Sequence, residues 1–173
     1  MDLHPIFVHF PVALITLFAV LEILPLEKKF GMPYVFTKFA FLLLGVLMSI
    51  PAYITGGIVG EAMERGPLRD VVELHSTFAT ATIVVAAVLF VLYLIRFGLL
   101  YSETMIGRSV VKILPQKLLY ALRPLVVRGV VVILSLVLLL LITGTGALGG
   151  SMVYGANIDP IATFLYKLFG LPL

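Results

Sequence analysis

The chain has 173 residues, of which 61% are hydrophobic and only 12% are charged. A soluble domain carries about 25% charged residues, so this composition, with a mean hydropathy of +1.18, excludes an ordinary soluble domain and indicates a membrane protein. The net charge of +3 does not indicate nucleic-acid binding. The absence of cysteine excludes disulfides, thiolate metal sites, iron–sulfur ligation and the covalent attachment of c-type haem.

Four apolar segments are long enough to span a bilayer, which takes roughly 20 residues of helix. They cover residues 5–26, 34–60, 68–97 and 119–143. We therefore predict an all-α integral membrane protein, a single domain over residues 1–173 that forms a bundle of four transmembrane helices. Glu22 and Lys38 are predicted to lie close to the membrane interface, where a long side chain can reach water.

Two features follow the fourth span. Residues 144–160 are rich in glycine and predict an irregular tail, either re-entrant or on the surface. Asp159 and Pro160 are typical of a helix N-cap and first turn. The helix predicted over residues 160–170 is too short to span and carries one apolar stripe, which predicts that it lies flat at the interface. The stripe consists of Ile161, Phe164, Leu165, Leu168 and Phe169.

Four spans put both termini on one side of the membrane. Nine of the 12 basic residues then lie on the opposite side, which the positive-inside rule makes cytoplasmic: Lys28, Lys29, Lys38, Arg96, Arg108, Lys112, Lys117, Arg123 and Arg128. We therefore predict a multi-pass protein of the cell membrane with both termini extracytoplasmic.

All three histidines fall on the extracytoplasmic side of this topology. His9 lies about one turn inside the first helix, and His75 lies just past the last charged residue of the third. The two side chains are therefore predicted at similar, shallow depth. Ionisable residues within a membrane are costly and mark functional sites.

The histidines suggest haem b, because bis-histidine ligation needs two imidazoles from different helices across a flat ring. Small residues must also line the faces against which the ring stacks. Such faces are present on the third helix, with His75, Ala79, Thr82 and Ala86, and on the first, with His9, Ala13 and Thr16.

The sequence thus predicts haem b between the first and third helices, near the outer face, with His9 and His75 as axial ligands. His4 is predicted to be a neighbouring residue or a replacement ligand. Arg65 and Arg69 are predicted to reach the haem propionates. In this hypothesis the chain is an electron-transfer subunit of a respiratory complex, linking a quinone pool to an outer redox partner.

Two alternatives remain open. The first is a cofactor-free membrane anchor or assembly subunit of such a complex. The second is a copper or zinc site on the outer face, formed by the histidines with Glu61, Glu64 or Glu73. His4 and His9 are five residues apart, so on a continuous helix they point about 140° from each other. No pattern indicates hydrolytic catalysis, and a non-catalytic subunit is favoured over an enzyme.

Three segments carry a family resemblance: LHPIFVHFPVAL at the start, ELHSTFA around His75, and GTGALGGSMVYGANID near the end. Together they resemble a family of prokaryotic four-helix membrane proteins catalogued as domain of unknown function 2231. The resemblance covers nearly the whole chain and matches at His9, Pro11, His75 and residues 146–155. It implies four helices and a companion of respiratory or cytochrome-type proteins. Glu22 departs from the pattern, since aspartate is expected there.

Overall fold

The structure is a computed structural model that describes residues 4–63, 66–123, 128–157 and 159–171. All regular structure in these residues is helical. The described helices are α1 (His4–Ile23), α2 (Glu27–Met63), α3 (Arg69–Leu100), α4 (Met105–Ile113), α5 (Gln116–Ala121), α6 (Arg128–Tyr154) and α7 (Pro160–Phe169).

The four long helices α1, α2, α3 and α6 form an antiparallel bundle. α1 packs mainly on α2 and α6, and α3 packs on the same two helices, so α1 and α3 stand on opposite sides of the bundle. We call the end that holds the start of α1, the end of α2, the start of α3 and the end of α6 the histidine end. The other end, where Glu22 of α1 meets Lys38 of α2, is the charged end.

All four helices of the bundle are long and apolar enough to cross a membrane, as the sequence predicts. The centre of the bundle is filled by large side chains such as Phe18, Leu42 and Leu89, each 0% exposed. Apolar side chains also cover the outside, where Leu140 is 74% and Ile58 is 69% exposed. An apolar exterior around an apolar core is the composition that a lipid environment favours.

Several predicted boundaries were wrong. α2 begins at Glu27 rather than at residue 34, with a break at Gly31, whose φ of 60° is left-handed. The connection between the third and fourth predicted spans, residues 98–118, contains the last turn of α3, all of α4 and the start of α5. The fourth spanning helix is α6, which starts at Arg128 and not at residue 119. Hydropathy marks the apolar part of a segment. It does not show where a helix begins or ends when polar residues occupy its terminal turns.

The glycine-rich tail predicted over residues 144–160 is mostly helical, since α6 continues to Tyr154. A glycine in a helix costs up to about 1 kcal/mol relative to alanine. Here the missing side chain permits close contact: a Cβ on Gly144 would lie 2.6 Å from the ring of Phe78. Gly155, with φ of 95°, follows the end of α6. The irregular segment therefore shrinks to the few residues before Pro160.

The short C-terminal helix is confirmed as α7. The side chain of Asp159 accepts hydrogen bonds from the amides of Ile161 and Ala162, each at 2.8 Å. Gly170, with φ of 68°, caps the other end. The buried side chains of Leu165 and Tyr166 pack with residues of α3 and α6 at the histidine end. The position of α7 at a membrane interface stays a prediction.

Two alanine substitutions in α6 separate the packing role of glycine from its helix propensity. Gly144→Ala should lower the thermal unfolding temperature in detergent, because the ring of Phe78 must move to admit the methyl group. Gly146→Ala should raise it, by up to about 1 kcal/mol of stability, because its Cβ meets nothing within 4 Å and alanine favours the helix. Equal shifts for both variants would contradict a close α3–α6 contact.

Candidate functional sites

His4 is the first residue of α1 and is held by α2. Its Nδ1 lies 3.1 Å from the hydroxyl oxygen of Thr55. That hydroxyl donates its own proton to the carbonyl oxygen of Pro51, at 2.8 Å. The Thr55 oxygen can therefore accept from His4, with a proton on Nδ1 of the imidazole.

His75, half-buried on α3, is held in the same way by α6. Its Nδ1 lies 3.0 Å from the carbonyl oxygen of Thr145. A carbonyl can only accept, so Nδ1 carries the proton and the lone pair is on Nε2. A backbone carbonyl that accepts from one ring nitrogen, and so orients the imidazole, is common in metal-ligating histidines.

Each of these imidazoles also packs against a glycine of the neighbouring helix. A Cβ on Gly56 of α2 would lie 2.9 Å from Cε1 of His4. A Cβ on Gly149 of α6 would lie 3.2 Å from Cε1 of His75. The histidine end therefore holds two imidazoles with the same kind of support, each beside a glycine and an oxygen atom of a neighbouring helix.

His9 has a different setting. α1 is helical from His4 onwards, with Pro11 inside it. The side chains of His4 and His9 therefore point about 140° apart around the helix. His9 is exposed on the outside of α1. The predicted pair of His9 and His75 is therefore less well matched than the pair of His4 and His75. A single ion held by both His4 and His9 is not compatible with this helix.

The remaining predicted site residues are at the histidine end or outside the described residues. Arg69 is the first residue of α3 and is exposed. Arg65 and Glu64 lie outside the described residues. Within the described part of the chain, no group of three or more His, Cys, Asp or Glu residues is placed to hold a metal ion.

The small-residue face of α3 is covered by α6. Thr82 is 5% exposed and its hydroxyl lies 3.3 Å from that of Thr145. Ala86, one turn further, is fully buried. The face that the sequence predicts as the seat of a haem ring therefore serves helix packing.

The charged end holds a cluster that the sequence did not predict. Lys38 of α2 donates to Glu22 of α1 at 2.6 Å, and both side chains are only 1% exposed. Lys38 also donates to Glu27 at 3.2 Å. Tyr93 of α3, which is fully buried, donates its hydroxyl proton to Glu22. Three helices thus meet at one buried carboxylate.

The outer part of the same cluster centres on Glu27. Arg96 of α3 donates to Glu27 at 2.5 Å, and the hydroxyl of Tyr101 donates to it at 2.9 Å. Burial, and then the adjacent carboxylate of Glu27, raises the pKa of the Tyr101 hydroxyl. Two carboxylates and two cations balance, so the cluster carries no net charge.

The prediction that Glu22 and Lys38 reach the interface was wrong. A single charge near the end of an apolar segment is compatible with either exposure or pairing, and hydropathy does not distinguish them. The opposite signs of Glu22 and Lys38, each four residues inside the facing ends of the first two predicted spans, were the available signal. Burial in pairs is the arrangement that the low dielectric of a membrane interior demands.

Comparison with family models, with curated proteins and with solved structures gives no match for this chain. The resemblance to the four-helix family named above stays a prediction.

Removing one partner of the buried pair should be far more damaging than removing both. Lys38→Met leaves the Glu22 carboxylate without its closest cation, and should cost about 3–5 kcal/mol of unfolding free energy. The double variant Glu22→Gln with Lys38→Met should recover much of that loss, because no unpaired charge remains. Chemical unfolding of both single variants and the double variant in detergent measures the coupling. Additive losses would contradict a buried, directly coupled pair.

Proposed function

We propose that the chain is a membrane electron-transfer subunit that binds haem b at the histidine end, with His4 and His75 as the axial ligands. The observation that carries the proposal is the matched state of the two imidazoles. The Nδ1 atom of each lies within hydrogen-bond distance of an oxygen of the adjacent helix, at 3.1 Å for His4 and 3.0 Å for His75. Iron in a bis-histidine haem takes one ring nitrogen from each of two helices.

The proposal exchanges one ligand relative to the sequence prediction. The sequence predicts His9 and His75 at a similar depth in the membrane, which favours that pair. The hydrogen bond of His4 to Thr55, which matches that of His75 to Thr145, favours His4 instead. His9 is then a residue of the outer surface of α1, suited to contact with lipid or a partner subunit.

Imidazole is a donor that haem iron takes, whereas the predicted seat of the ring is occupied by helix packing. Thr82 and Ala86 lie against α6 and leave no face for a macrocycle between the helix centres. A haem held by His4 and His75 would therefore lie towards the outermost turns of the bundle. Arg69, exposed at the start of α3, would be the described cation nearest in sequence to His75 for a propionate. When bound, haem b supplies one-electron reduction and oxidation.

The distribution of basic residues supports an extracytoplasmic position for this end. A subunit with its cofactor there would exchange electrons with a quinone in the bilayer or with an outer redox protein of a respiratory complex. Both termini would face the same side. The cofactor-free anchor and the outer-face metal protein are the competing functions, and the experiment below distinguishes all three.

The test is a dithionite-reduced minus oxidised absorption spectrum of the purified protein, expressed with ample haem. We expect the Soret and α bands of a low-spin haem. His4→Ala and His75→Ala should each abolish the low-spin spectrum, whereas His9→Ala should retain it. Loss of the spectrum in His9→Ala but not in His4→Ala would restore the pair predicted from the sequence. A protein without haem bands would be an anchor, or a metal protein if elemental analysis finds copper or zinc.

Adjacent glycines provide matched controls for the two ligand positions. Gly56→Ala and Gly149→Ala each place a methyl group against an imidazole, at 2.9 and 3.2 Å from Cε1. Both should shift the haem spectrum or weaken haem retention. Gly57→Ala and Gly150→Ala should not, since their Cβ atoms meet nothing within 4 Å. Unchanged spectra in all four variants would argue that these imidazoles do not ligate.

A further inference from the structure

The connection between α3 and α6 carries an exposed surface that combines cations with apolar side chains. Residues 105–123 contain four basic residues and no acidic one, and all four basic side chains are exposed: Arg108, Lys112, Lys117 and Arg123. Every ion pair among the described residues belongs to the buried cluster around Lys38 and Arg96. Within that part of the chain, the four cations of the connection therefore have no carboxylate partner.

α4 fixes where this surface lies relative to the spanning helices. The hydroxyl of Thr104 caps α4 by accepting from the amide of Gly107 at 3.1 Å. One side of α4 then packs on the end of α3, where a Cβ on Gly98 would lie 2.8 Å from Cγ1 of Val110. Val110 is buried in one cluster with Ile95 of α3. α4 therefore lies beside the last turns of a helix that is long enough to span a membrane.

The length of α3 sets the depth of α4. The 32 residues of α3 make a helix about 48 Å long, whereas the hydrocarbon layer of a bilayer is about 30 Å thick. The ends of α3 therefore extend into the headgroup layers when the bundle spans a bilayer. Since α4 contacts Gly98, two residues before the end of α3, α4 lies at the level of the headgroups.

The exposed side of α4 has a basic edge and an apolar edge. Successive residues of a helix are about 100° apart, which places Arg108 and Lys112 about 40° from each other on one edge. Met105 and Ile113 follow on the other edge and are 76% and 78% exposed. Tyr120 of α5 adds a side chain that is 65% exposed. Exposed apolar side chains interleaved with cations are typical of a helix that lies in a membrane interface.

A bilayer with anionic headgroups satisfies both edges of α4 at once. A free anion would neutralise the cations and leave Met105 and Ile113 in water, which is unfavourable for apolar side chains. An uncharged apolar partner would bury Arg108 and Lys112 without a counter-charge. The surface also continues the apolar outside of the bundle, since Leu100 at the end of α3 is 54% exposed. These observations favour lipid over a soluble anion or an acidic protein.

We propose that α4 and the start of α5 form a binding site for anionic phospholipid on the side of the bundle. Arg108 and Lys112 bind the phosphate of the headgroup, while Met105 and Ile113 contact acyl chains. Basic residues next to a spanning helix attract anionic headgroups, and guanidinium and ammonium groups both donate to phosphate oxygens. The site does not depend on which leaflet the charged end occupies.

Fluorescence quenching in nanodiscs tests the site. The chain contains no tryptophan, so an introduced indole reports only on its own surroundings. Ile113→Trp places the indole on the apolar edge of α4, and Leu140→Trp places a control on the outside of α6, at a position that is 74% exposed. Each full-length variant is reconstituted in equal amounts of phosphatidylglycerol and phosphatidylcholine, with bromine on the acyl chains of one lipid or the other. Bromine quenches a nearby indole, so the two samples compare the occupancy of the two lipids.

The indole of Ile113→Trp should be quenched more by brominated phosphatidylglycerol than by brominated phosphatidylcholine, and that of Leu140→Trp equally by both. In the Ile113→Trp background, Arg108→Gln and Lys112→Gln should each lower the occupancy ratio about fivefold, because each cation near a headgroup contributes about that factor. Lys167→Gln is the matched control. It removes an exposed cation on α7, at the histidine end, and should leave the ratio unchanged.

Four results would overturn the proposal. Absence of quenching by either lipid in Ile113→Trp would place α4 in water or against a protein. Equal quenching by both lipids would mean contact without recognition of the headgroup. Loss of the preference when inorganic phosphate replaces chloride at equal ionic strength would assign the cations to a free anion. A preference that survives in the double variant Arg108→Gln with Lys112→Gln would assign headgroup binding to other cations.

Discussion

The buried ion pair of Glu22 and Lys38 constrains the rest of the bundle, because neither charge can leave the other inside a low-dielectric interior. It joins the end of α1 to the start of α2, and the hydroxyl of Tyr93 joins α3 to the same carboxylate. At the far end of the same helix pair, His4 meets Thr55. The separations along the two helices match: 18 residues of α1 and 17 of α2 are each about 25–27 Å long. Both contacts are therefore satisfied in one register, and a slip of one turn would break both.

This register divides the molecule into two polar ends and an apolar centre. At the histidine end, Gly56 and Gly149 leave room for an imidazole between neighbouring helices. Aromatic side chains lie next to the charged end, where the ring of Phe39 packs on the rings of Tyr93 and Phe97. The packed centre, with Phe18, Leu42 and Leu89 fully buried, separates the two polar ends.

The spans could be predicted because lipid exposure and burial both demand apolar residues over a fixed length. The interfacial candidate α7 could be predicted because its cap residues and apolar stripe are local signals. The helical state of residues 144–154 could not be predicted, because glycine content reflects only the intrinsic preference of the backbone and not its tertiary contacts. There, close approach to α3 and the need to satisfy backbone groups internally outweigh that preference.

The sequence by itself determined the apolar composition, the number of helices long and apolar enough to span a membrane, the absence of cysteine chemistry and the three histidines as candidate ligands. Only the tertiary structure decided which groups meet. It paired Lys38 with Glu22 in the core, and it left Nε and Nη1 of Arg96 buried without a hydrogen-bond partner among the described residues. It placed His4 against Thr55 and His75 against Thr145, while His9 stayed on the outside. The physical reason is that composition and periodicity specify how far a segment reaches and which environment it suits. Partner choice depends on helix register and rotation, which are set by contacts between residues far apart in the chain.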